Sequence, residues 1–341
     1  MIINMREWQK TIIASRNIGA LPIMTYPGLS LTGYTIMDVV TNGEKQFHCM
    51  KALAEKYPSI ASVAMMDLSV EAEAFGSRVL FSENEVPTVI GQRVADMEAA
   101  RFLPVPKVGS GRTGVYLEAT ELAARQIKNK PVLGGLIGPF SLTGRLLEMK
   151  NLLLNTRRRP ELVHVLLHKT TNFLVEYAKA IKATGANGLI MAEPAAGLVG
   201  PSDCDEFSSK YVKQIVDTVQ DSSFSVILHN CGNTVPLVKS MLSTGAAGLH
   251  FGNAVRMSDM MPQIPPNRLA FGNVDPSGLF RIGTREHMEE RVTELLDEVG
   301  DYSNFVLSSG CDIPPGAPLA NIDSFFDALD FYNLRTEQMA S

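Results

Sequence analysis

The chain has 341 residues, 45% of them hydrophobic and 20% charged, with a formal net charge of −5. That composition excludes a disordered chain, a collagen and a disulfide miniprotein, and the charge leaves nucleic acid no electrostatic footprint. No apolar run reaches the roughly 18 residues of a membrane helix, residues Met1 to Lys10 lack a signal-peptide core, and four cysteines are too few for a disulfide framework, so a cytoplasmic chain with reduced thiols is expected.

Short apolar runs alternate with helical patterns. The first two runs are Ala20–Tyr26 and Ser62–Leu68, with a helix expected at Glu44–Tyr57 between them. An excursion follows at about 75–130, helical near Leu117–Lys128, and then the run Val132–Gly138. Pro160–Thr184 reads as a helix with Pro at its first position and Gly185 past its end. The runs Gly188–Glu193 and Ser225–Cys231 flank a helix at Ser202–Val219. Gly248–Gly252, Leu269–Val274 and Phe305–Gly310 complete eight runs, with a helix at Thr284–Val299 opened by a weak Thr284/His287 cap pattern. Runs that are apolar almost throughout are strands buried on both faces, which means a parallel sheet covered by helices. Eight of them predict an α/β fold, a (β/α)8 TIM barrel spanning residues 1–341 as one domain, with the excursion over its mouth. Neither a G-x-G-x-x-G after the first run nor a P-loop motif occurs.

In such a barrel chemistry sits at the C-terminal strand ends. The polar residues there are Thr25, Tyr26, Asp67, Glu193, His229, Cys231, His250, Asn273, Asp275, Cys311 and Asp312. Residues two apart on a strand share a side, so His229 and Cys231 can hold one ion. Cys311, at the end of the eighth run, can reach the same mouth. One imidazole and two thiols suit Zn(II) and leave a fourth position open for a substrate; the alternative is that each cysteine is a small buried hydrophobe. Asp67 and Glu193, carboxylates among apolar neighbours, are candidates to orient an NH-bearing group, ligate a metal or accept a proton, or else to form a salt bridge or loop cap. His250 is a pocket residue or a satisfied histidine under a loop. Cys49 and Cys204 fall on helices and read as packing residues. His48, His164, His168 and His287 read as surface or capping residues, and Arg157 to Arg159 as a solvated turn at a helix end.

These residues carry a resemblance over nearly the whole chain. Met66-Asp67-Leu68-Ser69-Val70-Glu71, Ile137-Gly138-Pro139-Phe140, Met191-Ala192-Glu193-Pro194, Leu228-His229-Asn230-Cys231-Gly232, Phe271-Gly272-Asn273-Val274-Asp275-Pro276 and Leu307-Ser308-Ser309-Gly310-Cys311-Asp312 resemble the uroporphyrinogen decarboxylase superfamily, within it the cobamide-dependent methyltransferases. The resemblance implies a zinc enzyme that moves a methyl group from a methylcobamide on a corrinoid protein to a thiol such as coenzyme M. His229, Cys231 and Cys311 match the zinc motif, H-x-C and a distant C. Glu193 and Asp67 are then the candidate catalytic residues, and Tyr26, His250, Asn273 and Asp275 the candidate cofactor-binding residues. The acceptor stays open between coenzyme M, another thiol and tetrahydrofolate. The alternatives are a tetrapyrrole decarboxylase and a non-catalytic module that docks a corrinoid protein. The decarboxylases' Arg-Gln-Ala-Gly-Arg-Tyr run is absent, since Leu21 to Gly28 contains no arginine.

Overall fold

The computed structural model describes residues 3–339, so two residues at each end of the expected 1–341 domain lie outside the described residues. Its strands are β1 (Ser62–Val63), β2 (Arg78–Leu80), β3 (Thr88–Ile90), β4 (Val132–Ile137), β5 (Gly188–Ala192), β6 (Ser225–Asn230), β7 (Gly248–Phe251), β8 (Leu269–Val274) and β9 (Phe305–Ser309). Seven of them form one parallel sheet in the order β1-β4-β5-β6-β7-β8-β9. Consecutive neighbours joined by helices are what right-handed β-α-β crossovers produce.

The first apolar run, Ala20–Tyr26, supplies the eighth position without becoming a regular strand. Ala20 bridges Leu307 in parallel, and its carbonyl accepts from the Ile60 N–H at 2.9 Å, so this segment stands between the two ends of the sheet and closes the barrel. Its ladder fails for a chemical reason. Pro22 has no N–H to give, the Ile23 N–H donates to Ser309 Oγ at 2.9 Å, and the Thr25 N–H donates to Asp312.

The helices follow their sequence patterns closely. They span Gly43–Lys56, Pro160–Ala183 and Arg285–Val299, the last capped by Thr284, which accepts from the His287 N–H. The expected helix Ser202–Val219 is three pieces, Pro201–Cys204, a π turn at Asp205–Ser209, and Lys210–Val219. The excursion opens as the antiparallel β2–β3 hairpin. It ends in the helix Thr113–Gln126, which packs on Gly43–Lys56 and is the barrel's own crossover between β1 and β4.

The inward side chains Leu21, Ile23, Val63, Leu133, Ile190, Ile227, Phe271 and Val306 fill the barrel centre. An N-terminal helix, Met5–Ala14, packs on that layer through Met5, Trp8, Ile12 and Ile13. The Met5 N–H donates to the Ser222 carbonyl ahead of β6, and Gln9 to the Asn267 carbonyl ahead of β8. This helix therefore closes the end opposite the mouth. No helix among the described residues is long and apolar enough to cross a membrane.

Candidate metal centre

β6 ends at His229-Asn230, and Cys231 follows at once. β9 ends at Ser309, and Gly310 delivers the chain to Cys311. One ligand atom each from His229, Cys231 and Cys311 lies within 4.8 Å of the others. Backbone crowds this corner: a Cβ on Gly252 would stand 2.5 Å from Cys231 Cα, so the turn after β7 needs glycine there.

The donors are prepared for a cation. His229 is buried, its Nδ1 sits 2.8 Å from His250 Nδ1, and its Nε2 has no partner among the described residues. A buried ring nitrogen without a partner is costly unless something occupies it. The two thiols are coupled: Cys311 is the largest influence on Cys231 and draws it down, whereas Cys311 is pushed up first by Cys231 and then by burial. A thiolate beside an imidazole would be a soft donor pair for a metal. Ligands about 2.0–2.3 Å from a tetrahedral zinc lie roughly 3.5 Å apart, a spacing within the limit that joins these three. The donor set thus fits a zinc ion with one position open. All four cysteines are free; Cys49 and Cys204 are buried in packing.

The three donors open on a cavity of about 350 Å³ that Tyr26, Met66, Pro87, Arg145, Asp312 and Pro314 help to line. Pro87 belongs to the β2–β3 hairpin, so this hairpin contributes to the cavity wall. Asp312 is pushed up to about 7 by burial and accepts from the Thr25 hydroxyl at 2.9 Å. Arg145, on the helix Pro139–Leu147, makes no hydrogen bond or ion pair among the described residues, and burial lowers its pKa. Sequence reasoning passed over it. The available signal was a lone charge in Pro-Phe-Ser-Leu-Thr-Gly-Arg-Leu-Leu, whose other residues are all buried.

Tyr26 lines the cavity, but Glu193, Asp67, His250, Asn273 and Asp275 do not. Glu193 accepts from the Phe140 N–H at 3.1 Å and from the Ser141 N–H and hydroxyl at 2.6 Å each, at the start of the helix Pro139–Leu147. Burial pushes it up to about 7. Asp67 is saturated by Arg112 at 2.5 Å, Tyr116 at 3.0 Å and the Ser69 N–H and hydroxyl. Asn273 donates to the carbonyls of Gly252 and Val255 and ties down the loop after β7. Asp275 caps the turn Pro276–Arg281 through the N–H groups of Ser277 and Gly278. Glu193, Asn273 and Asp275 thus satisfy backbone groups just past the strand ends, whereas Asp67 is held mainly by the Arg112 and Tyr116 side chains. His250 stands beside His229 on the neighbouring strand.

A parallel α/β barrel with a His-Cys-Cys donor set at its mouth is the class of protein that fold and site define. The chain belongs to the uroporphyrinogen decarboxylase (URO-D) family, whose model matches residues 22–332. It is 31% identical to the methylcobamide:CoM methyltransferase MtbA of Methanosarcina acetivorans over 271 residues, 78% of each chain. It is 29% identical to the chloroplastic uroporphyrinogen decarboxylase of Zea mays over 242 residues, 67% of this chain and 58% of that one. Among solved structures, a methyltransferase from Methanosarcina mazei superposes with a TM-score of 0.85 at 22% identity, covering 97% of this chain and 99% of that chain, a likeness of fold.

Proposed function

We propose that the protein is a corrinoid-dependent methyltransferase, with zinc held by His229, Cys231 and Cys311, that moves a methyl group from a methylcobamide on a partner corrinoid protein to a thiol. The observation that carries this reading is the partnerless His229 Nε2 beside two sulfurs at a cavity mouth. The similarity to MtbA supports the donor and the reaction class.

A zinc ion in that site would lower the pKa of an acceptor thiol and keep it nucleophilic at neutral pH. The chain's own residues do the rest. Met66, Pro87 and Pro314 give the cavity an apolar wall around the acceptor sulfur. Arg145, an unpaired guanidinium in the same cavity, is placed to hold an anionic tail on the acceptor. That favours an anionic thiol, coenzyme M among the candidates, over a neutral one. In the transfer a sulfur–carbon bond forms as the cobalt–carbon bond breaks, the electron pair stays on cobalt and the thiol proton is released. A tetrapyrrole decarboxylase is disfavoured, because Arg145 is the single Arg or Lys among the described cavity-lining residues, too few for a substrate with many carboxylates.

The test is elemental analysis of the purified protein followed by demethylation of methylcobalamin with a panel of thiols. About one zinc per chain and thiol-dependent turnover are expected. Cys231→Ser should lose the metal and at least a hundredfold in rate. Full activity in that variant, or in fully chelated protein, would overturn the proposal.

A further inference from the structure

His250 is not accounted for by the site so far. It is fully buried on β7, in register with His229 on β6. Its Nδ1 lies 2.8 Å from His229 Nδ1, and its Nε2 lies 2.8 Å from Ser308 Oγ on β9. Ser308 Oγ lies 2.6 Å from the Leu21 carbonyl oxygen. Every direction in this chain follows from its last member.

A carbonyl only accepts, so the single hydroxyl proton of Ser308 points at Leu21. Ser308 Oγ must then accept from His250, which places a proton on His250 Nε2. The ring is fully buried, stacks on Phe271 with planes 13° apart, and has no carboxylate partner among the described residues. With Nε2 donating to Ser308 and no anion among those residues in contact to pair a second proton, His250 Nδ1 carries a lone pair. That lone pair accepts from the Nδ1–H of His229. The remaining nitrogen of His229, Nε2, is left with its lone pair free, and it is the buried atom without a partner.

We infer that His250 and Ser308 are positioning residues: the relay from the Leu21 carbonyl through Ser308 and His250 locks His229 in the Nδ1–H tautomer and aims its Nε2 lone pair at the metal position. The irregular first segment takes part in this. Leu21 precedes Pro22, where the ladder is interrupted, and its carbonyl takes the Ser308 hydroxyl. Partners of this kind raise a ligand's basicity and fix its ring.

This inference rests on the proposed metal site, but its primary test does not require metal. The 15N shifts of histidine rings, in metal-free protein labelled with 15N-histidine, report each tautomer directly. Nδ1–H on His229 and Nε2–H on His250 are expected. A proton on His229 Nε2 would overturn the relay whatever the protein's activity. Zinc affinity, measured by competition with a chelator, supplies the second readout. His250→Phe keeps the ring's shape and removes the acceptor, and should weaken zinc about 10- to 100-fold. His250→Gln, whose side-chain carbonyl can accept from His229, should recover much of that loss. Wild-type affinity in His250→Phe, or no recovery in a folded His250→Gln, would refute the role. Wild-type protein that binds no zinc but shows the expected tautomers would defeat the zinc reading and leave the relay standing.

Discussion

Glu71 is a buried carboxyl with one oxygen bound to the Ile137 N–H at 3.1 Å and the other without a partner among the described residues. Burial pushes its pKa from 4.5 up to about 7. Between these values the native chain holds a proton that the unfolded chain releases, so stability falls as pH climbs from 4.5 to 7 and is level above. A shift of that size corresponds to about 3 kcal/mol. Glu71→Gln cannot ionise, so it should gain about 2 kcal/mol over wild type at pH 8 and little near pH 4.5; denaturant unfolding at both pH values measures this, and an equal difference at both would show that charge burial is not the cause. Arg145 yields a prediction about selectivity. Arg145→Met should raise KM for anionic thiols at least tenfold, in line with about 1.5–3 kcal/mol for a hydrogen bond to a charged group, and leave neutral thiols nearly unchanged. Steady-state kinetics with an anionic and a neutral thiol separate the two, and an equal loss for both would remove Arg145 from acceptor recognition. The pair His229 and Cys231 was legible in the sequence because period two is a property of any strand. Arg145 was not, because only helix packing turns it into the cavity.

The helix Pro139–Leu147 shows how an element takes a residue away from chemistry. Glu193 stood in the sequence as a candidate catalytic carboxylate at the end of β5, among apolar neighbours. In the folded chain it collects two N–H groups and one hydroxyl from the first turn of that helix. The first turn of a helix lacks backbone acceptors, and a buried carboxylate supplies them. Glu193→Ala should therefore cost about 3 kcal/mol, through stranded buried donors, while zinc per chain stays the same. Thermal unfolding paired with metal analysis checks both halves, and loss of metal from a folded variant would return Glu193 to the site. Asp67 is a parallel case. Arg112, from the excursion, engages both Asp67 and Glu73, so this pair anchors the excursion to the barrel. Neither role was legible, since Ser141 and Arg112 stand 52 and 45 residues away in the chain.

At the scale of the molecule the barrel has one stoppered end and one open end. Met5, fully buried, seats the N-terminal helix against the inner layer, and Trp8, the chain's single tryptophan, lies beside it. Met5→Glu buries a charge there and should lower the unfolding midpoint by several degrees and red-shift Trp8 fluorescence, with metal content unaltered. An unchanged emission maximum would show that the helix does not seal the barrel. The alternation of buried runs and helical stretches was enough to specify the barrel, because periodicity and burial on both faces are local consequences of composition. It also marked His229, Cys231 and Cys311, because strand ends in this fold converge on one mouth. What lay beyond it was the division of labour among the polar residues at that mouth. Whether Glu193 caps a helix, Asp67 holds Arg112, or His250 steers His229 depends on partners far away in the chain, and hydrogen-bond partners and their directions exist only once the strands are side by side.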